Sequence, residues 1–310
     1  MRSRILALIT AVITAFSLCG CSRSQELNDG KLQIVTTIFP AYDFARQVFG
    51  NKADITLLLK PGTESHSYDP SARDIVKIDS CDLFIYNGGE SDAWVENVLK
   101  TTDDVNTLRM MSFVEALEEE ELISAEDHDE HDDAEYDEHI WTSPKNAALI
   151  VDGIRKEAMR LDAENSDLYE QNAFNYLNEI LDLDRRFAEL LTGESRYFVF
   201  GDRFPLLYFF KEYGLNYYAA FPGCSSETEP SAQTVAFLTE ELKEDYTLNA
   251  VFCIELSNRK LAETLASENE VPTFEFHTCH NITADDFEAK ENYVSLMERN
   301  YQMLKKVLKN

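Results

Sequence analysis

The run from Glu126 to Trp141 reads EDHDEHDDAEYDEHIW and holds three of the chain's six histidines. A fourth, His66, stands in PGTESHSYDPS, and the last two, His277 and His280, stand in HTCHN. Imidazole is a good ligand for zinc, copper, nickel or iron. Histidines set among carboxylates therefore point to cation capture. The six need not do the same work. His128 and His131 lie inside the acidic run, where they are either weak, solvent-exposed ligands on an accessory loop or part of a solvated charge run. His139 abuts Ile140 and Trp141, apolar neighbours that should anchor it in a cleft. His66 follows a strand-like segment in a Gly, Pro and Ser-rich loop, a place that suits a binding residue. His277 and His280 are three apart, so both can face one point, or only one of them.

These side chains need elements to hold them. LQIVTTIF (32–39) is a β-branched apolar run, followed by a helical pattern in AYDFARQVFG that Gly50 closes. ADITLLL and CDLFIYNGG read as the next strands and SARDIVKIDS as a short helix between them. SDAWVENVLK reads as a helix with Ser91 as its N-cap. The acidic run 118–138 interrupts this order; too poor in apolar residues to bury itself, it is expected to be a mobile loop. From Ser143 a long helical region begins, and its second part, SDLYEQNAFNYLNEILDLDRRFAELLTG, should span about 40 Å and link two domains. The strand–helix rhythm then restarts: RYFVFGD, NYYAAFPG, LNAVFCIEL and TFEFH read as strands with helices between them, and ENYVSLMERNYQMLKKVLKN as a closing helix. Alternating strands and helices argue for parallel βαβ units. The expected fold is α/β: two lobes, each a parallel-type sheet flanked by helices, joined by one long rigid helix.

Composition narrows the function. The 310 residues carry a formal net charge of -29, which disfavours nucleic-acid binding and suits cationic ligands. Arg2, Arg4 and the apolar ILALITAVITAF form an export signal over residues 1–20, too short for a comfortable membrane span. Its end, LCGC, resembles a bacterial lipobox, which would make Cys21 a lipidated first residue and 21–31 a tether. Cys81 and Cys253 read as buried strand positions. Cys224 and Cys279 lie in loop-like sequence, where a bridge between them stays open. HExxH, GxSxG and a paired metal-bridging carboxylate motif are absent, so a secreted metallohydrolase using Asp202 or Glu255 as its base is disfavoured.

The lipobox, the strand leading into PGTESHSYDPS, the acidic His-rich run leading into HIWTSP and the YVSLMERN helix together resemble one family. It is the metal-binding component of bacterial ABC importers, the cluster A-I group that captures zinc or manganese. The resemblance covers nearly everything from Leu32 to Asn310. It implies an N-terminal lobe over 32–163, a linking helix over 164–193 and a C-terminal lobe over 194–310, with one metal ion between the lobes. By motif, His66 and His139 are its N-terminal ligands. The C-terminal half departs from the family pattern. Gly201 stands where the third ligand, a His or Glu, is usual, with Asp202 beside it. HTCHN stands where an Asp is usual, and His280 falls nearest. The implied metal set is His66, His139, His280 and Asp202; Glu255 and His277 are further ligands or partners that orient one. Three imidazoles with one carboxylate suit tetrahedral Zn(II), whereas manganese favours more oxygen. The implied role is extracytoplasmic capture of Zn(II) by a monomer anchored to the membrane through Cys21, and delivery to an ABC permease and its ATPase. A manganese importer component or an adhesin is the alternative.

Overall fold

The computed structural model describes residues 30–63, 68–102, 104–119, 136–223 and 230–309. The signal segment, Cys21, His66, His128, His131 and Cys224 lie outside the described residues.

The N-terminal lobe is built on β1 (Leu32–Thr36), β2 (Ala53–Leu57), β3 (Leu83–Tyr86) and β4 (Thr107–Arg109), all parallel in the order β2-β1-β3-β4. Helix α1 (Phe39–Phe49) returns the chain from β1 to β2, with Pro40 in its first turn and Gly50 at φ 57 ending it. Helix α2 (Ala72–Asp79) starts with a reciprocal Ser71–Asp74 capping box. Helix α3 (Ala93–Leu99) follows β3. Ser91 does not cap α3: Asp92 is its N-cap residue, and the Ser91 hydroxyl instead bonds to Glu138 across the lobe. The three-residue β4 carries one buried side chain, too little periodicity to be read as a strand from sequence. Cys81 lies before β3 rather than in it, half-buried, with its thiol on the Ile78 carbonyl.

The C-terminal lobe repeats this plan. Its strands β5 (Tyr197–Phe204), β6 (Asn216–Pro222), β7 (Thr247–Ile254) and β8 (Thr273–Phe276) are parallel in the order β6-β5-β7-β8. Helices α6 (Leu207–Tyr213), α7 (Ala232–Glu241) and α8 (Lys260–Glu268) connect them, and α9 (Ala284–Glu288) and α10 (Tyr293–Val307) close the chain. In both sheets the strand order reverses at the first strand, so each lobe has its crevice at the carboxyl ends of the central pair.

Between the lobes run α4 (Pro144–Leu161) and the 26-residue α5 (Ser166–Leu191), about 39 Å long. One face of α5 buries Tyr169, Ala173, Tyr176, Ile180, Leu183, Phe187 and Leu191 at 3–4 spacing. Near its start Tyr169 packs edge-on against Phe49 of α1; near its end Phe187 packs against Phe209 of α6 and Tyr301 of α10. A single apolar core therefore passes from Ile34 and Phe44 through this face to Phe210, Phe276 and Leu304. Asp43 of α1 ties the same three parts together. Its fully buried carboxylate accepts from Tyr176 Oη of α5 (2.6 Å), from the Tyr293 amide of α10 (2.9 Å) and from Arg46 and Gln47.

Candidate metal centre

His139 and His280 come from opposite lobes and meet. His139 ends the segment that leads into α4; His280 lies in the loop after β8. Their rings are T-shaped, with centroids 5.3 Å apart. Two imidazoles sharing a tetrahedral zinc at about 2.0–2.1 Å per Zn–N bond have centroids about 5 Å apart. The spacing fits one shared ion. Both side chains are buried, at 0% and 9% exposure, beside a cleft of about 210 Å³ that Glu255, Arg203, Thr278 and Thr63 also line.

Contacts from both lobes surround the pair. Asp137 Oδ1 accepts the His139 amide at 2.7 Å and lies 3.2 Å from His139 Nδ1. Burial alone would lower the pKa of His139, but Asp137, with Glu138 and Glu119, outweighs it and the net shift is upward. The neighbouring Glu138 is held inside the N-terminal lobe: its carboxylate accepts from Ser91 and its carbonyl from Asn87 Nδ2 at 2.8 Å. That contact needs Gly89, where a Cβ would lie 2.2 Å from Glu138 Oε2. Trp141 Nε1 donates across the lobes to the Thr278 carbonyl at 2.9 Å, and the indole lies 5.0 Å from the His280 ring, centroid to centroid.

Thr278 organises the other side. Its amide and hydroxyl both donate to Glu255, at 2.7 and 2.5 Å, and its Oγ1 accepts the His280 amide at 3.2 Å. Cys279, between the two histidines, takes a left-handed backbone at φ 62 and is a fully buried free thiol, its pKa well above the usual value through burial. His277 points elsewhere. Its Nδ1 accepts the Cys279 amide at 2.9 Å, Asn300 of α10 brackets its backbone, and its buried Nε2 has no hydrogen-bond partner among the described residues. It does not line the cleft.

Asp202 is not among the cleft-lining residues either. The β5–β6 register shifts between Phe200 and Arg203, and the bulge leaves Asp202 facing β7. One carboxylate oxygen accepts the Ile254 amide at 3.2 Å and the other the Arg203 amide at 2.9 Å. Gly201 has its own reason: a Cβ there would lie 2.6 Å from Ala262 Cα of α8, so this packing leaves no room for a ligand side chain. Glu255 lines the cleft with both oxygens already on Thr278.

The described residues 60–63, which precede the segment holding His66, reach the same place. Gly62 donates to the Ile282 carbonyl at 2.7 Å, and Asn281 Nδ2 donates to the Lys60 and Thr63 carbonyls at 3.1 and 2.6 Å. The chain thus starts into residues 64–67 directly against the loop that carries His280. Among the described residues no three His, Cys, Asp or Glu side chains form a metal-holding group. His139 and His280 are the imidazoles those residues bring together.

Comparison with known proteins supplies the remaining observation. The family described as zinc-uptake complex component A, periplasmic (ZnuA), matches residues 34–307. The chain belongs to this family. It is 35% identical over 308 residues to the zinc-binding lipoprotein AdcA of Streptococcus pneumoniae, covering 97% of this chain and 60% of AdcA. It thus spans about 60% of the length of that relative. It is 30% identical to the high-affinity zinc uptake system protein ZnuA of Bacillus subtilis, covering 97% of this chain and 96% of that protein. The crystal structure of the Zn(II)-bound ZnuA-like domain of S. pneumoniae AdcA superposes with a TM-score of 0.75 at 33% identity, over 90% of this chain and 99% of that domain. The two parallel four-stranded sheets and the long helix are the fold of this family. Sequence reasoning missed Asp137, Thr278 and Tyr208 as parts of the site, and took Trp141 only as an apolar anchor for His139. Asp137, two residues before His139, was the one whose spacing could have given it away.

Proposed function

We propose that this chain captures a divalent transition metal, Zn(II), outside the cytoplasm and hands it to an ABC permease driven by its ATPase. The observation that carries this reading is the His139–His280 pair: two buried imidazoles from opposite lobes at the spacing one tetrahedral zinc requires. His66 completes the pair from the loop bonded to residues 281 and 282. Asp202 supplies the fourth ligand if it exchanges its backbone partners for the ion; otherwise water or Glu255 does. The relatives named for zinc binding and zinc uptake support zinc over manganese, as does a nitrogen-rich ligand set. Cys21 is the anchor to the membrane surface and the protein acts as a monomer. If Asp202 or Glu255 takes the fourth position, the site is closed by protein ligands and favours transport over catalysis, because catalytic zinc keeps an open position.

Zinc and manganese titrations of the mature protein test this, alongside His66→Ala, His139→Ala, His280→Ala and Asp202→Ala. The expected result is one tight zinc per chain, lost with any of the three histidine changes. Asp202→Ala then decides the fourth position by the size of its effect. Tight zinc binding that survives all four changes would move the metal elsewhere and end this reading.

A further inference from the structure

His139 has two ring nitrogens, and a metal ligand must offer the unprotonated one. The surroundings of Asp137 make that choice. An ionised carboxylate only accepts hydrogen bonds. Asp137 Oδ1 takes the His139 amide at 2.7 Å and stands 3.2 Å from Nδ1. Nδ1 therefore carries the proton and Nε2 carries the lone pair. Asp137 is itself fixed by the opposite lobe. Tyr208 Oη of α6 donates to the Asp137 carbonyl at 2.9 Å and accepts the Leu117 amide at 3.0 Å. The Asp137 amide closes the circle on the Leu117 carbonyl at 2.9 Å, and Glu118 pairs with Tyr136 in an antiparallel bridge. One buried hydroxyl thus fastens both ends of the acidic run to the C-terminal lobe, next to the residue that orients His139.

We infer that Asp137 and Tyr208 are positioning residues for metal capture: Asp137 sets the tautomer and angle of His139, and Tyr208 makes that setting depend on the two lobes being together. The inference rests on the metal-capture reading above and deepens it. Burial pushes the Tyr208 phenol up to about 12, so it keeps its proton, and with it the bond to Asp137, at any ordinary pH. The Glu118–Tyr136 bridge and the Leu117–Asp137 bond give the two described ends of the acidic run a common base beside His139. Carboxylates that accept from a ligating histidine typically cost 10–100-fold in metal affinity when removed.

The test uses Asp137→Ala, Asp137→Asn and Tyr208→Phe in the full mature chain, with two readouts. Zinc titration should show Asp137→Ala binding about 10–100-fold more weakly. Asp137→Asn keeps an acceptor oxygen and should stay close to wild type. Tyr208→Phe should fall in between. The second readout needs no metal: ¹⁵N NMR of the His139 ring at pH 8 should report the Nδ1–H tautomer in the wild type and in Asp137→Asn. In Asp137→Ala the ring should be a mixture of tautomers. Wild-type zinc affinity and an unchanged tautomer in Asp137→Ala would overturn the inference. So would an Asp137→Asn variant as weak as Asp137→Ala, since charge rather than orientation would then be the cause. If Asp137→Ala does not fold, Tyr208→Phe decides on both readouts, and wild-type behaviour there overturns the lobe dependence. If the wild type binds no zinc tightly, the proposed function fails, while the tautomer measurement still judges Asp137.

Discussion

Thr278→Val removes one oxygen from the hinge of the C-terminal ligand loop while keeping the shape of the side chain. That oxygen makes two buried contacts: it donates to Glu255 Oε1 at 2.5 Å and accepts the His280 amide at 3.2 Å. Glu255 would keep the Thr278 amide at 2.7 Å on its other oxygen, so its carboxylate is weakened but not abandoned. A hydrogen bond to a charged group contributes about 1.5–3 kcal/mol, and a buried amide left without an acceptor costs a further 1 kcal/mol or so. The expected loss of stability is about 3 kcal/mol in the metal-free protein. His280 would also lose the contact that sets its backbone, so zinc affinity should fall about tenfold, a change of about 1.4 kcal/mol. The assay is urea unfolding of the metal-free chain together with zinc titration, for Thr278→Val and Thr278→Ser in parallel. Serine keeps the hydroxyl and should lose less than half as much on both counts. If valine and serine variants unfold at the same urea concentration and bind zinc alike, the hydroxyl does not position His280 and the reasoning is refuted.

Three further outcomes are expected. Buried Asp92 is pushed up to about 6, first by desolvation and also by Glu138, against the amides of Asn87 and Gly88 that lower it. The folded chain therefore binds a proton that the unfolded chain gives up near pH 4, and the stability this adds below that value is lost as the pH rises to about 6. The difference amounts to about 3 kcal/mol. Denaturant curves from pH 4 to 7 should thus show wild type losing ground to Asp92→Asn over that window; parallel curves would mean Asp92 is ionised throughout. Replacing residues 120–135 by a Gly-Asn-Gly turn keeps the Glu118–Tyr136 base and should leave one tight zinc per chain while lowering total metal bound; loss of the tight site would make the acidic run part of it. Tyr176→Phe deletes the hydroxyl that donates to Asp43 and should destabilise the metal-free chain by about 2 kcal/mol in urea unfolding; a change under 0.5 kcal/mol would remove Asp43 from the connection between lobes.

What the sequence showed and hid follows from range. The strands, the long helix and His139 were legible because each rests on neighbours a few residues away: β-branched runs, apolar 3–4 spacing, and Ile140 and Trp141 beside the histidine. His280 was singled out only through the family resemblance, by its distance from the YVSLM helix, and the structure sets it against His139. The contacts that hold His139 and His280 were not legible, because they join residues far apart in the chain. Trp141 reaches Thr278, and Tyr208 reaches Leu117 and Asp137. Ser91 shows how a local rule loses to a distant partner: a good capping residue by type, it turns to Glu138, and Asp92 takes its place in the chain. Gly201 shows the reverse. It read as a gap in a ligand pattern, and its reason is the close approach of α8, which no spacing in the sequence displays.

If the chain carries a metal as proposed, the unbroken apolar core limits how that ion can leave. The halves of a clamshell each keep a closed interior and part along a wet seam. Here the seam is bridged: one helix sends Tyr169 and Tyr176 into the N-terminal half and Phe187 into the C-terminal half, within one continuous apolar core. Swinging the halves apart would expose aromatic surface at roughly 25 cal/mol per Å², so a few hundred square ångströms would consume most of a typical fold's stability. Exit therefore falls to the rim of the cleft, where the loops after β2 and β8 are joined through Gly62 and Asn281. On the proposed metal-capture reading, release need only open that latch, and the frame that survives it is ready for the next ion.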